Sequence, residues 1–213
     1  MELSLLLIFW YGILHAFGPD HLTAIADFSI GKDKKKTLII TILFAIGHGL
    51  SLFIFAKILQ HLDISEEILS YGDLISGAVI LGMGIYLLYM VATNQIHLKK
   101  HLHEGKEHIH IWFGKEHNHE DSVAKSSSFT MGLLMGAGGV RGMLVTLGAV
   151  GSGNVNMAMV FAFTAGVMLI FIGFGLAIAY INEHLLDNVT NIRRAFATAG
   201  IISLVVGSSV LFG

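Results

Sequence analysis

Residues 15–21 read His15-Ala16-Phe17-Gly18-Pro19-Asp20-His21, or HAFGPDH, inside an otherwise apolar run near the start of the chain. Two imidazoles and a carboxylate sit here beside the only proline in 213 residues. Proline has no N–H to donate, and its ring collides with the carbonyl four residues back, here that of His15. Gly18 eases the deformation. On a straight helix His15 and His21 stand about 120° apart, and His15 and Asp20 about 140° apart. A kink or unwound turn at Gly18-Pro19 would let all three converge. An Asp at the centre of a membrane helix costs ~2.5–3.5 kcal/mol. Breaker and ionisable groups together therefore predict a bound cation.

The rest of the chain supplies the apolar setting. Hydrophobic residues make up 54% and charged residues 13%, against about 25% charged in an average soluble domain. The expected fold class is an all-α polytopic membrane protein. About 20 apolar residues cross a bilayer as a helix. Six stretches meet that length: Leu3–Phe28, Thr37–Leu59, Ile68–Thr93, Phe129–Val150, Val155–Ile181 and Ile192–Phe212. The first opens Met1-Glu2 with no basic flank and becomes apolar again after His21. It reads as a retained helix, not a signal peptide.

Lysine and arginine set the orientation. Lys32, Lys34, Lys35 and Lys36 follow the first stretch. Lys99, Lys100, Lys106, Lys115 and Lys125 follow the third, and Arg193 and Arg194 the fifth. The other connections carry none. A multi-pass protein of the cytoplasmic (inner) membrane is expected, with both termini outside. No cysteine is present, which excludes disulfides, thiolate metal sites and cysteine nucleophiles.

The two halves resemble each other. GILHAFGPDH from Gly12 aligns with GLLMGAGGVR from Gly132, and FAIGHGLSLFIF from Phe44 with FAFTAGVMLIFI from Phe161. Gly77, Leu81 and Gly84 align with Gly200, Leu204 and Gly207. Three spans per half would place the halves upside down to each other, a 3+3 inverted repeat. In such transporters, interrupted helices form the substrate site at the repeat interface. The organisation expected is 1–93 as the first repeat, 94–128 as a His-rich cytoplasmic loop and 129–213 as the second repeat. The matching interruptions are expected at Gly18-Pro19 and at Gly136-Ala137-Gly138-Gly139.

Imidazole nitrogen with carboxylate oxygen suits Ni²⁺, Cu²⁺ or Zn²⁺ over Mn²⁺. The second stretch adds His48 in GHGLS, flanked by glycines that let another helix approach closely. The candidate metal residues are His15, Asp20, His21 and His48.

HAFGPDHLTAI resembles the HX₄DH signature of the nickel/cobalt transporter superfamily, matching at His15, Ala16, Asp20 and His21. Its PDHL is similar to the branch of small nickel permeases linked to urease accessory proteins. AIGHGLS resembles the superfamily's second histidine motif, at His48. The six-helix layout with a His-rich loop after the third helix resembles the nickel/cobalt efflux family. That family has prolines and a cysteine in the fourth helix, where this chain has Gly138-Gly139-Val140-Arg141. The resemblance implies transport of Ni²⁺ or Co²⁺ as substrate, with no cofactor. It makes His15, Asp20, His21 and His48 the ligands or selectivity residues.

Residues 97–119 hold His97, His101, His103, His108, His110, His117 and His119. Such tracts bind metal. The stretch is polar and is expected to be a mobile loop with several weak capture sites rather than one ordered site. Asp27 and Arg141 are candidate pathway residues, with capping or snorkelling as their plainer roles. His97 and His101 have the His-X₃-His spacing of membrane metalloenzymes. The sharpest motif, however, lies in the apolar part, and no HExxH, GxSxG or Walker A motif is present. The chain is thus expected not to be an enzyme. Its expected partners are the bilayer, a divalent ion and a cytoplasmic metallochaperone, with no nucleic acid. Alternating access is the expected mechanism. The HX₄DH match favours import, and the cytoplasmic His-rich loop favours efflux.

Overall fold

A computed structural model describes residues 2–59, 66–103, 106–113, 121–150, 157–186 and 188–212. Its order is α1 (Glu2–Ala16), α2 (Pro19–Ser29), α3 (Lys34–Leu59), α4 (Glu66–Ala92), β1 (Ile96–His103), β2 (Lys106–Phe113), α5 (Asp121–Val150), α6 (Met157–His184) and α7 (Val189–Phe212). α3, α4, α6 and α7 are long and apolar enough to cross a membrane, and α1 with α2 meets the same test as one span bent by 58°. α5 contains the remaining expected stretch, Phe129–Val150, but among the described residues it is not one of the helices that meet this test, so four spans, or five with the bent pair, stand against the six expected.

The surface is dressed for lipid. Leu3, Trp10, Phe161, Leu169, Ile201 and Val205 are among the exposed large side chains, while His21, Asp27, His48 and Ser203 are buried. A soluble domain would not leave so much apolar area uncovered.

The first helix breaks where proline requires it. α1 ends at Ala16 and Pro19 opens α2, the first-turn position at which its missing N–H costs nothing. The N–H of Gly18 bonds the His15 carbonyl at 2.9 Å, which closes the end of α1.

α5 differs from expectation. It runs unbroken through Gly136-Ala137-Gly138-Gly139. Glycine permits a break, but unlike proline it keeps its N–H and has no ring to collide, so it does not force one. These glycines serve close approach instead. A side chain at Gly136 would meet the His48 carbonyl 2.6 Å away, and one at Gly138 the Ser76 Oγ at 2.9 Å.

α1 packs on α6, α3 on α5 and on α6, and α4 on α7. The tightest crossings come in matched pairs. A methyl on Gly12 would strike the Phe163 carbonyl, and one on Gly132 the Phe44 carbonyl. One on Gly47 would strike the Phe129 carbonyl, and one on Gly166 the Phe9 carbonyl.

The His-rich segment also departs from expectation. Residues 96–103 and 106–113 form an antiparallel pair in which His97 pairs with Trp112, Lys99 with His110, His101 with His108 and His103 with Lys106. The reason is a period of two. Ile96, Leu98 and Leu102 alternate with His97, Lys99, His101 and His103, and Ile109, Ile111 and Phe113 alternate with His108, His110 and Trp112. Alternation of this kind suits a strand. Directly paired residues share a face, so His97, His101, His103, His108 and His110 all belong to one face of the ribbon. His117 and His119 lie outside the described residues.

Candidate metal centre

α1 delivers His15 from its last turn, α2 delivers His21 from its first, and α3 delivers His48 from its middle. One ligand nitrogen from each lies within 4.8 Å of the other two. His15 Nε2 and His21 Nε2 are 3.0 Å apart. Metal–imidazole bonds of about 2.0–2.1 Å place neighbouring nitrogens on one ion about 3 Å apart, and opposite ones about 4.1 Å apart. The trio is thus within a small side-chain adjustment of one coordination shell.

His48 is fully buried, and neither of its ring nitrogens has a hydrogen-bond partner among the described residues. Leaving a buried polar group unsatisfied costs about 1–3 kcal/mol, so such a group in a packed core calls for an explanation. A shared cation supplies one. Aromatic rings shield the cluster on one side. Phe44 stacks on His48, Phe171 meets His21 and His48 edge-on, and Phe163 lies against His15. They leave the imidazoles few competitors for a cation.

Asp20 stands one step out. Its Oδ2 is 3.1 Å from His21 Nδ1, at ion-pair distance but off the axis that a hydrogen bond needs. Its Oδ1 folds back over Gly18, where a Cβ would lie 2.6 Å from it. A carboxylate behind a ligating histidine fixes the ring and raises its basicity. Asp20 therefore stands behind His21, outside the close group of His15, His21 and His48. In the first turn of α2 its charge also faces the positive end of that helix.

A cavity of about 560 Å³ reaches the cluster, lined by His15, Asp20, His21, Asp73, Ser76 and Gly139 among others. Asp73 and Ser76 were not anticipated from the sequence. An acidic residue within the apolar Ile68–Thr93 stretch was the available signal. Gly139 of α5 closes the cluster. A Cβ there would lie 3.0 Å from His15 Nε2 and 3.4 Å from His48 Nε2. A second cavity, of about 630 Å³, lies toward the other end of α4 and is lined by Asp27, Lys32, Tyr86, Met90, Ser127 and Phe196 among others. α2 runs between the two, with His21 on one cavity and Asp27 on the other. Arg141 belongs to α5 by its backbone, and its side chain lies outside the described residues.

The chain matches no known family model, no curated protein and no solved structure.

Proposed function

We propose that this protein carries a divalent transition-metal ion, nickel or cobalt, across the cytoplasmic membrane, binding it between His15, His21 and His48. The observation that carries the reading is the three-histidine cluster at a broken helix. Ionisable groups inside an apolar bundle are costly unless they serve a ligand or pathway. Broken helices are where transporters place such sites. The resemblance of HAFGPDH and GHGLS to nickel/cobalt transporter motifs selects the metal.

Six spans arranged as a 3+3 inverted repeat fit this reading. The matched crossings support it: Phe9 and Gly12 correspond to Phe129 and Gly132 by a shift of 120, and Phe44 and Gly47 to Phe163 and Gly166 by a shift of 119, two residues on from the sequence alignment of Phe44 with Phe161. The ion enters from the cavity lined by Asp73 and leaves into the one lined by Asp27, as the halves rock about the cluster. With the lysine-rich connections cytoplasmic, that direction is import. Two charges moving inward at 100 mV release ~4.6 kcal/mol.

The test is flux of Ni²⁺ and Co²⁺ into proteoliposomes under a set membrane potential. Wild type should carry the ion. His15→Ala and His48→Ala should reduce flux at least tenfold while eluting as folded protein. Equal flux in both variants would overturn the site, and no flux in folded wild type would overturn the function.

A further inference from the structure

α2 carries a second buried ionisable group that the histidine cluster does not use. Asp27 is 8% exposed. Its Oδ2 lies 2.7 Å from Ser203 Oγ of α7, and its Oδ1 has no hydrogen-bond partner among the described residues. The cavity wall beside it brings up two titratable groups, Lys32 from the α2–α3 connection and Tyr86 from α4, while α7 faces it with Ser203.

Counting hydrogens decides what this arrangement holds. Ser203 Oγ also lies 2.8 Å from the Ala199 carbonyl oxygen. A hydroxyl has one proton. Were Asp27 ionised, both neighbours of Ser203 Oγ would be acceptors, and its single proton would have to be shared between them in a three-centre bond. With a proton on Oδ2, Asp27 donates to Ser203 and Ser203 donates to Ala199, so both contacts are hydrogen bonds. A neutral carboxyl also suits a buried position with no paired cation among the described residues.

His21 and Asp27 are six residues apart on α2, about 9 Å along its axis. A divalent ion held at His21 would place two positive charges at that distance through a poorly screening interior, which disfavours a proton on Asp27. We infer that Asp27 is a proton-binding site that empties when the histidine cluster takes its ion and refills when the ion departs. The protein then exchanges protons for metal. One proton leaves the Asp27 carboxyl for the entry side, lined by Asp73, as the ion binds from there, and one returns from the exit cavity as the ion departs into it, so one proton moves out for each ion moved in. This inference rests on the transport reading.

The experiment is ion flux into proteoliposomes holding a pH-sensitive dye, with the membrane potential clamped. Wild type and Asp27→Glu should move protons against the metal. Asp27→Asn should still carry Ni²⁺ down its gradient with at least fivefold fewer protons per ion. Metal flux in wild type without proton movement, or equal proton movement in Asp27→Asn, would overturn this inference and leave the transport function standing. Absence of wild-type metal flux would overturn both. If Asp27→Asn carries no ion, the infrared difference spectrum decides. Adding Ni²⁺ to wild type should remove a protonated-carboxyl band that shifts in Asp27→Glu, and a spectrum without that loss would overturn the inference.

Discussion

His15 Nε2 and His21 Nε2 stand 3.0 Å apart across the break between α1 and α2. On a continuous helix six residues separate two side chains by about 120° of turn and about 9 Å of rise. The break therefore creates the cluster. Pro19→Ala restores an N–H and removes a ring that disfavours a helix interior by about 3 kcal/mol, so it lets α1 and α2 straighten. We expect Co²⁺ affinity, followed by visible absorption in detergent, to fall at least tenfold with no loss of thermal stability. Unchanged affinity would mean that packing by other helices sets the bend.

His48 has both ring nitrogens buried without a partner among the described residues, between Phe44 and Phe171. His48→Leu removes the polar atoms and keeps most of the packing. In the absence of metal it should be neutral or stabilising by up to about 1–3 kcal/mol. The rise in melting temperature that Ni²⁺ gives wild type by binding the folded state should disappear. A metal-free variant much less stable than wild type would show that His48 is a structural residue.

Gly139 lies in α5, which carries none of the three clustered histidines, yet its missing side chain leaves His15 and His48 their room. Gly139→Ala favours an α-helix by about 1 kcal/mol and sets a methyl 3.0 Å from His15 Nε2. Stability and metal affinity should part: the melting temperature holds or rises, and Ni²⁺ affinity measured by calorimetry drops several-fold. Parallel loss of both would indicate general overpacking.

These features were unequally legible in the sequence. The break and the convergence of His15 with His21 follow from a local steric fact about Pro19, and His48 stood out as an ionisable group among apolar neighbours. The hydrophobic stretches were visible because lipid demands continuous apolar length. The role of Asp20 was not visible, since spacing cannot tell a ligand from the carboxylate behind one. Gly136–Gly139 suggested an interruption, although the same residues serve equally for close helix contact, and only the neighbours decide between the two. The hairpin was obscured because the average polarity of the His-rich tract masks its period of two. Asp27 was noticed, but Ser203 lies 176 positions away, and no local pattern joins them.

The matched crossings make a stability prediction. Gly12 packs on the Phe163 backbone as Gly132 packs on that of Phe44. Gly12→Ala and Gly132→Ala should each force two helices apart, at about 1–3 kcal/mol as for other overpacked sites. Melting temperatures in detergent should fall by similar amounts in the two variants. A large loss at one position and none at the other would argue against a structural correspondence between the halves.

The last prediction concerns the hairpin, where face and composition can be separated. His101 pairs with His108, and His97, His103 and His110 share their face, whereas His117 and His119 fall after β2. If histidine number alone captures metal, replacing any few should matter equally. If the ribbon face captures it, the paired positions matter most, because directly opposed residues have Cβ atoms about 4.5–5.5 Å apart. Substituting His101, His108 and His110 by Ser should therefore raise the ion concentration needed for half-maximal flux several-fold. His117→Ser with His119→Ser should change it little. Deleting 97–120 should reproduce the first effect and leave the maximal rate largely intact, because the proposed transport cluster of His15, His21 and His48 is untouched. Flux titrations across these variants distinguish the cases: equal effects of the two substitution sets would favour a mere store of histidines, and loss of maximal rate on deletion would make the hairpin part of the transport path.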